Sequence, residues 1–200
     1  MYSKEKYNTL LSKYGCYSSW AIWNNKREND TSVISNNLIN LHSNFVFLGL
    51  NIAKTLIDEK WINFHGGKHD RKLKYACSGN ILAGSYLTDI FKGVSEAKSS
   101  KMVDLLTPEI IESNVNLFKQ EMKDIGVDDN TVFIVCGVKG SILANNFDRY
   151  FKLNFNNTVI YHYHYSYYGI SDKKWVTSLW DKLDINQDFV ETLKRFKKFD

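Results

Sequence analysis

The chain is poor in the residues that punctuate or staple a fold. Of its 200 residues, one is proline and three are cysteine. Cys16, Cys77 and Cys136 are widely spaced, odd in number and form no C-x-x-C pair. That excludes a zinc ribbon and an iron–sulfur cluster and fits reduced thiols. Long apolar runs are missing at the start of the chain. Residues 1–11 are polar and charged and offer neither a signal peptide nor a membrane helix. A soluble, cytoplasmic protein is expected. Internal repeats and low-complexity tracts are also missing. Charge of one sign is not in large excess: 26 Lys and Arg stand against 22 Asp and Glu, a net +4. This permits an anionic partner without demanding one. What the chain does have is apolar and aromatic bulk, with 44% hydrophobic and 14% aromatic residues. The length and apolar content suit one domain over residues 1–200. The excess rings fill a core or stack on bases and sugars.

Four short apolar runs read as strands. They are residues 44–50 (NFVFLGL), 86–91 (YLTDIF), 131–136 (TVFIVC) and 158–161 (TVIY). Continuous rather than alternating apolar character suits central strands of a parallel sheet covered on both faces. Helical segments lie between them. Thr107 and the lone Pro108 form an N-cap and N1 pair. Ile110, Ile111, Val115, Phe118 and Met122 follow at helical spacing, and Gly126 marks the stop. Further helices are expected over residues 139–147 and 172–182, with a terminal amphipathic helix over 188–199. The alternation predicts an α/β fold, a three-layer αβα sandwich with a mostly parallel four-stranded sheet. Residues 1–43 are expected to pack on this core as helices.

Ligands of such sheets bind beyond the carboxyl ends of the strands, and those ends carry unusual residues here. Asn51, in Gly49-Leu50-Asn51-Ile52-Ala53, is able to orient a water or read a ligand edge, or simply to end the strand in an Asx turn. The connection Trp61-Ile62-Asn63-Phe64-His65-Gly66-Gly67-Lys68-His69-Asp70 offers Trp61 and Phe64 to stack on a planar ligand, or to anchor a surface loop. Asp89 is costly to bury inside an apolar strand unless paired. It is a ligand-binding carboxylate, a base, or a partner for Lys92 or a histidine. His162 and His164 would share a face in extended chain, as acid–base groups or, with Asp89, as metal ligands.

Taken together, these residues resemble the uracil-DNA glycosylase superfamily over about residues 44–183. Gly49 to Ala53 occupies the place of the motif after its first strand, and Tyr86-Leu87-Thr88-Asp89-Ile90 that of its base-reading strand. Phe133 to Gly137 resembles its strand-plus-glycine, and His164-Tyr165-Ser166 its last motif, with Tyr167 and Tyr168 in the wedge position. Ile52 and Tyr165 stand where the family has proline. Asn51 stands where its most active members have a carboxylate, as in the mismatch-specific branch. The resemblance implies hydrolysis of the N-glycosidic bond of an extruded uracil or modified base in DNA, by a monomer without cofactor or metal. Asn51 would position water and His164 would donate to the departing base. Phe64, Trp61, Asp89 and Ile52 would form the base pocket. Ser166 would hold phosphate, and Tyr167 or Tyr168 would fill the gap in the base stack. Lys68, Arg71, Lys72 and Lys74 would grip the backbone. The alternatives are a non-catalytic nucleic-acid or nucleotide-binding module on the same fold, and a metal-dependent hydrolase built on His162, His164 and Asp89.

Overall fold

A computed structural model of the chain describes residues 2–52, 59–67 and 69–197. Five strands form one sheet: β1 (Ser18–Trp20), β2 (Phe45–Asn51), β3 (Tyr86–Phe91), β4 (Val132–Val135) and β5 (Thr158–Tyr161), in the order β1-β3-β2-β4-β5. β2, β3, β4 and β5 run parallel, and β1 pairs antiparallel with β3 at the edge. The expected parallel α/β sheet is present, but with five strands rather than four. The extra strand comes from the segment expected to be helical. β1 lies between α1 (Lys4–Tyr14) and α2 (Ser32–Ser35), and its Ser-Ser-Trp sequence has no strand pattern of its own. Its pairing of Ser18 with Thr88 and Trp20 with Tyr86 is supplied by β3.

Consecutive residues of β2 and β3 are buried, so both sheet faces are covered. The remaining helices are α3 (Arg71–Ala76), α4 (Ser99–Asp104), α5 (Pro108–Ile125), α6 (Ile142–Asn146), α7 (Asp172–Lys182) and α8 (Phe189–Lys197). α5 keeps the bounds its caps dictate. The Thr107 side chain accepts from the Ile110 N–H, Pro108 fills N1, and Gly126 ends the helix at φ 81°. Its Phe118 meets Phe133, Phe151 and Phe155 in largely edge-on ring contacts. α6 is shorter than the expected 139–147 helix because Ser141 caps it, and it runs into a π-type turn over Phe147–Phe151.

A buried polar knot joins α5 to β3 and β1. Glu121, fully buried on α5, pairs with Lys92 Nζ at 2.7 Å. Its other carboxylate oxygen accepts from Tyr86 Oη and Thr88 Oγ1, both at 2.9 Å. Tyr86 Oη also lies 2.6 Å from Ser18 Oγ. Lys92 gives a further bond to the Asp89 backbone carbonyl at 2.6 Å. So Lys92 is spent on Glu121 and on main chain, not on the Asp89 side chain. Removing one member of a buried ion pair strands the other charge, typically costing about 3–5 kcal/mol. Lys92→Met should therefore destabilise the protein by about that amount in urea unfolding. The double variant Lys92→Met/Glu121→Leu should recover part of the loss, and losses that simply add would contradict a coupled pair.

Candidate functional site

β3 lies on one side of β2 and β4 on the other, so the chain reverses its winding between β2 and β4. This is the place where open parallel sheets leave a crevice at their carboxyl edge. A cleft of about 660 Å³ lies there, within the range of small-molecule sites. Leu50 and Asn51 at the end of β2, Asp89 of β3, and Cys136 to Val138 after β4 line it. Tyr163 to Tyr167 after β5 and Asn63 of the β2–α3 connection complete the inner wall.

Asp89 is the polar group of the buried floor, 4% exposed. In the parallel register it sits beside Gly49, where a Cβ would fall 2.1 Å from Asp89 Oδ1. Glycine is required there for room, not for backbone conformation. Asn63 Nδ2 donates to Asp89 Oδ2 at 2.9 Å and to the Tyr17 carbonyl at 2.8 Å. Both partners are acceptors, which fixes the orientation of the amide. Burial lifts the Asp89 carboxyl to about 6, against the opposing effects of the Asn63 hydrogen bond and the Lys92 charge. It is therefore mostly ionised at neutral pH.

His164 lines the same cleft in a defined tautomer. Its Nδ1 accepts from the Ser166 backbone N–H at 3.2 Å and lies 2.7 Å from Ser166 Oγ. That assigns the proton of the neutral ring to Nε2. Burial lowers His164 to about 4, with electrostatic contributions from the neighbouring His69 and Lys72 in the same direction. The ring is thus neutral under ordinary conditions and carries an Nε2–H donor. Tyr165 stacks on it at 4.4 Å. Asn51 Nδ2 reaches the carbonyls of Ile52, Val94 and Glu96 at 3.1, 3.1 and 2.9 Å. The amide nitrogen thereby ties the β3–α4 connection to the end of β2. Asn51 Oδ1 has no hydrogen bond among the described residues.

The structure brings Asn51, Asp89, His164, Ser166 and Tyr167 into one cleft and leaves the other expected residues elsewhere. Trp61 is 1% exposed and packs edge-on against Trp20, its Nε1 donating to Tyr7 Oη at 3.1 Å. It is a core anchor and does not reach the cleft. Phe64 lies behind the wall, buried against Tyr165 at 5.9 Å and close to Gly49, and supports the cleft without lining it. Ile52 is buried and also outside the lining. His162 and His164 do not face the same way, because β5 ends at Tyr161 and the alternation ends with it. His162 is buried with Nε2 on the Trp175 carbonyl at 2.9 Å. The convergence of His162, His164 and Asp89 that a metal reading needs is absent. No group of three His, Cys, Asp or Glu among the described residues is placed to hold a metal ion.

The described residues of the basic strip have partners within the protein. Arg71 pairs with Asp172 at 2.6 Å, and the buried Lys74 pairs with Glu28 at 3.0 Å. Lys72, also buried, donates to the carbonyls of Tyr167 and Ile170 at 2.7 and 3.2 Å. These charges brace the loop after β5 and hold α3 to its neighbours. Lys68 and Ala53 lie outside the described residues. Tyr168 is 91% exposed, and Tyr167 stacks on Tyr163 at 5.7 Å beside the opening. Asn63 was not singled out by sequence reasoning. Its place between Trp61 and Phe64 is the one signal, since those two buried rings fix the loop that presents it. The chain matches no known protein family, no characterised protein and no solved structure.

The raised Asp89 carboxyl makes a signed prediction. Its folded value lies above the ordinary 3.8, so its burial destabilises the protein as pH rises from about 4 to about 6 and costs its full amount above that. A shift of this size is worth about 3 kcal/mol. Asp89→Asn keeps the bond to Asn63 and removes the charge. It should be more stable than the parent by about that amount at pH 8, with the gain shrinking to under about 1 kcal/mol by pH 4. Urea unfolding at the two pH values checks this, and a variant less stable at pH 8 would contradict it.

Proposed function

We propose that the chain hydrolyses the N-glycosidic bond of a base-bearing substrate held in this cleft, in the manner of the uracil-DNA glycosylase-like superfamily that its motifs resemble. The observation that carries the reading is the joint presence in one cleft of Asn51, Asp89 and a neutral His164 with an Nε2–H donor. Breaking a C1′–N bond leaves positive charge on the sugar and negative charge on the base. A fixed N–H donor aimed at the base lowers that barrier as an oxyanion hole does. A neutral imidazole donates without the cost of burying a cation. Asn51 Oδ1 accepts from the attacking water and orients it, the new bond forms from water oxygen to C1′, and the water proton leaves with the departing base. Tyr165, backed by Phe64, offers a planar wall for the base.

A second reading has its own support. An asparagine at position 51 cannot take a proton from water, which favours binding without cleavage on the same fold. The commitment of Arg71, Lys72 and Lys74 to internal partners removes much of the expected phosphate grip. It favours a nucleoside or a short single strand over an extensively gripped duplex.

The test is base release from single- and double-stranded DNA carrying uracil, hypoxanthine, mismatched thymine or damaged bases, and from free nucleosides. Asn51→Ala and His164→Ala should each slow release by about 10²–10³, the usual cost of one positioned donor, while remaining folded by circular dichroism. Wild-type rates in both variants would sink the assignment. Saturable binding without release would select the second reading.

A further inference from the structure

The polar groups of the cleft differ in kind, and the difference selects among bases. Asn63 gives both N–H groups away, to the Tyr17 carbonyl and to Asp89 Oδ2, so its Oδ1 is left as an acceptor. Asp89 Oδ1 has no hydrogen bond among the described residues and belongs to a residue that lines the cleft. An ionised carboxylate accepts only. His164 contributes one donor through Nε2, because Nδ1 is occupied by Ser166. The trio therefore offers two acceptors and one donor.

The edges of the bases can be matched against that count. Uracil and thymine present one N–H between two carbonyl oxygens, so they ask the protein for two donors and one acceptor. The carboxylate and the Asn63 oxygen then cannot both be used, and one of them faces a lone pair. Cytosine presents an amino group, a ring nitrogen acceptor and a carbonyl, and also asks for two donors. Adenine presents one amino group and one ring nitrogen acceptor. Guanine alone among the common bases presents one carbonyl oxygen beside two neighbouring N–H donors. It asks for one donor and two acceptors, which is what His164, Asp89 and Asn63 supply. A carboxylate oxygen accepting the ring N–H is also the stronger, charge-assisted form of the contact.

Resting on the reading of the cleft as a base site, we propose that its ligand class is a base with a guanine-type edge, held through Asp89 and Asn63, and not uracil. Asp89 accepts the ring N–H, Asn63 Oδ1 accepts the exocyclic amino group, and His164 Nε2–H donates to the carbonyl oxygen. Inosine, which lacks the amino group, loses the Asn63 contact alone. Gly49 serves this arrangement by leaving the space that Asp89 Oδ1 occupies.

Isothermal titration with guanosine, inosine, adenosine, cytidine and uridine tests the proposal on the full chain. Guanosine should bind roughly ten- to hundredfold tighter than uridine, the usual worth of a good bidentate base contact, with inosine between them. Asp89→Asn, folded as judged by thermal unfolding, should lose most of that preference. Asn63→Asp keeps an acceptor while removing the donor to Asp89 Oδ2, and serves as a second variant if Asp89→Asn misfolds; it too should weaken guanosine binding. Uridine binding as tightly as guanosine, or a preference unchanged in both variants, would overturn the guanine assignment and leave the base-site reading standing. Failure of every nucleoside to bind, with no base released from any DNA, would overturn both.

Discussion

One buried carboxylate sets the terms for the rest of the cleft. Asp89 is buried in β3 as the one carboxylate of the described sheet strands, and an ionised group there is expensive. Its neighbours are arranged around that expense. Gly49 has no side chain because Asp89 Oδ1 fills the place of one. Asn63 leaves its own loop to hold Oδ2, and the loop is pinned by Trp61 and Phe64, both in left-handed backbone conformations. Lys92, the nearest cation in sequence, is turned to the other face and spent on Glu121. A protein that only needed a stable strand would gain from replacing Asp89. Keeping a costly group at the floor of a cleft is the pattern of sites where function takes precedence over stability.

Two polar systems on opposite faces of β3 divide the work. On one face Glu121, Lys92, Tyr86, Thr88 and Ser18 form a closed set that ties α5 and the edge strand to the sheet. On the other face, Asp89 and Asn63 are joined to each other and line the cleft, and Asp89 Oδ1 has no hydrogen bond among the described residues. The alternation of side chains along an extended strand allows both to be built from adjacent residues. The loop after β5 is fixed in the same way from beneath, by Lys72 on the Tyr167 and Ile170 carbonyls and by Trp175 Nε1 on the Tyr163 carbonyl at 2.8 Å. His164 is thus presented by a braced loop.

The sheet was largely legible in the sequence. The runs at 86–91 and 158–161 became β3 and β5 without a change of boundary, and α5 and α7 matched their expected spans, because continuous apolar runs and good caps are local signals. The gathering of Asn51, Asp89 and His164 at the carboxyl edge followed from parallel topology alone. What could not be read was set by distant partners. β1 exists through its pairing with β3. Arg71 finds Asp172 about a hundred residues away, a partner that no local signal in the sequence announces. Trp61 reads equally as a ligand ring or a loop anchor, because a loop tryptophan gives no local sign that Trp20 and Tyr7 will enclose it. Asn63 carries no local signal, because an asparagine in a loop is ordinary until the strand beneath it is known.

The most direct test is the titration of the Asp89 carboxyl carbon by NMR, in the free protein and with saturating guanosine. Free protein should titrate at about 6. The ligand, which binds the ionised form, should lower that midpoint measurably. A free-protein midpoint in the ordinary carboxylate range near 4, or a midpoint unmoved by guanosine, would contradict the claim that this buried carboxylate is the ligand-facing centre of the cleft.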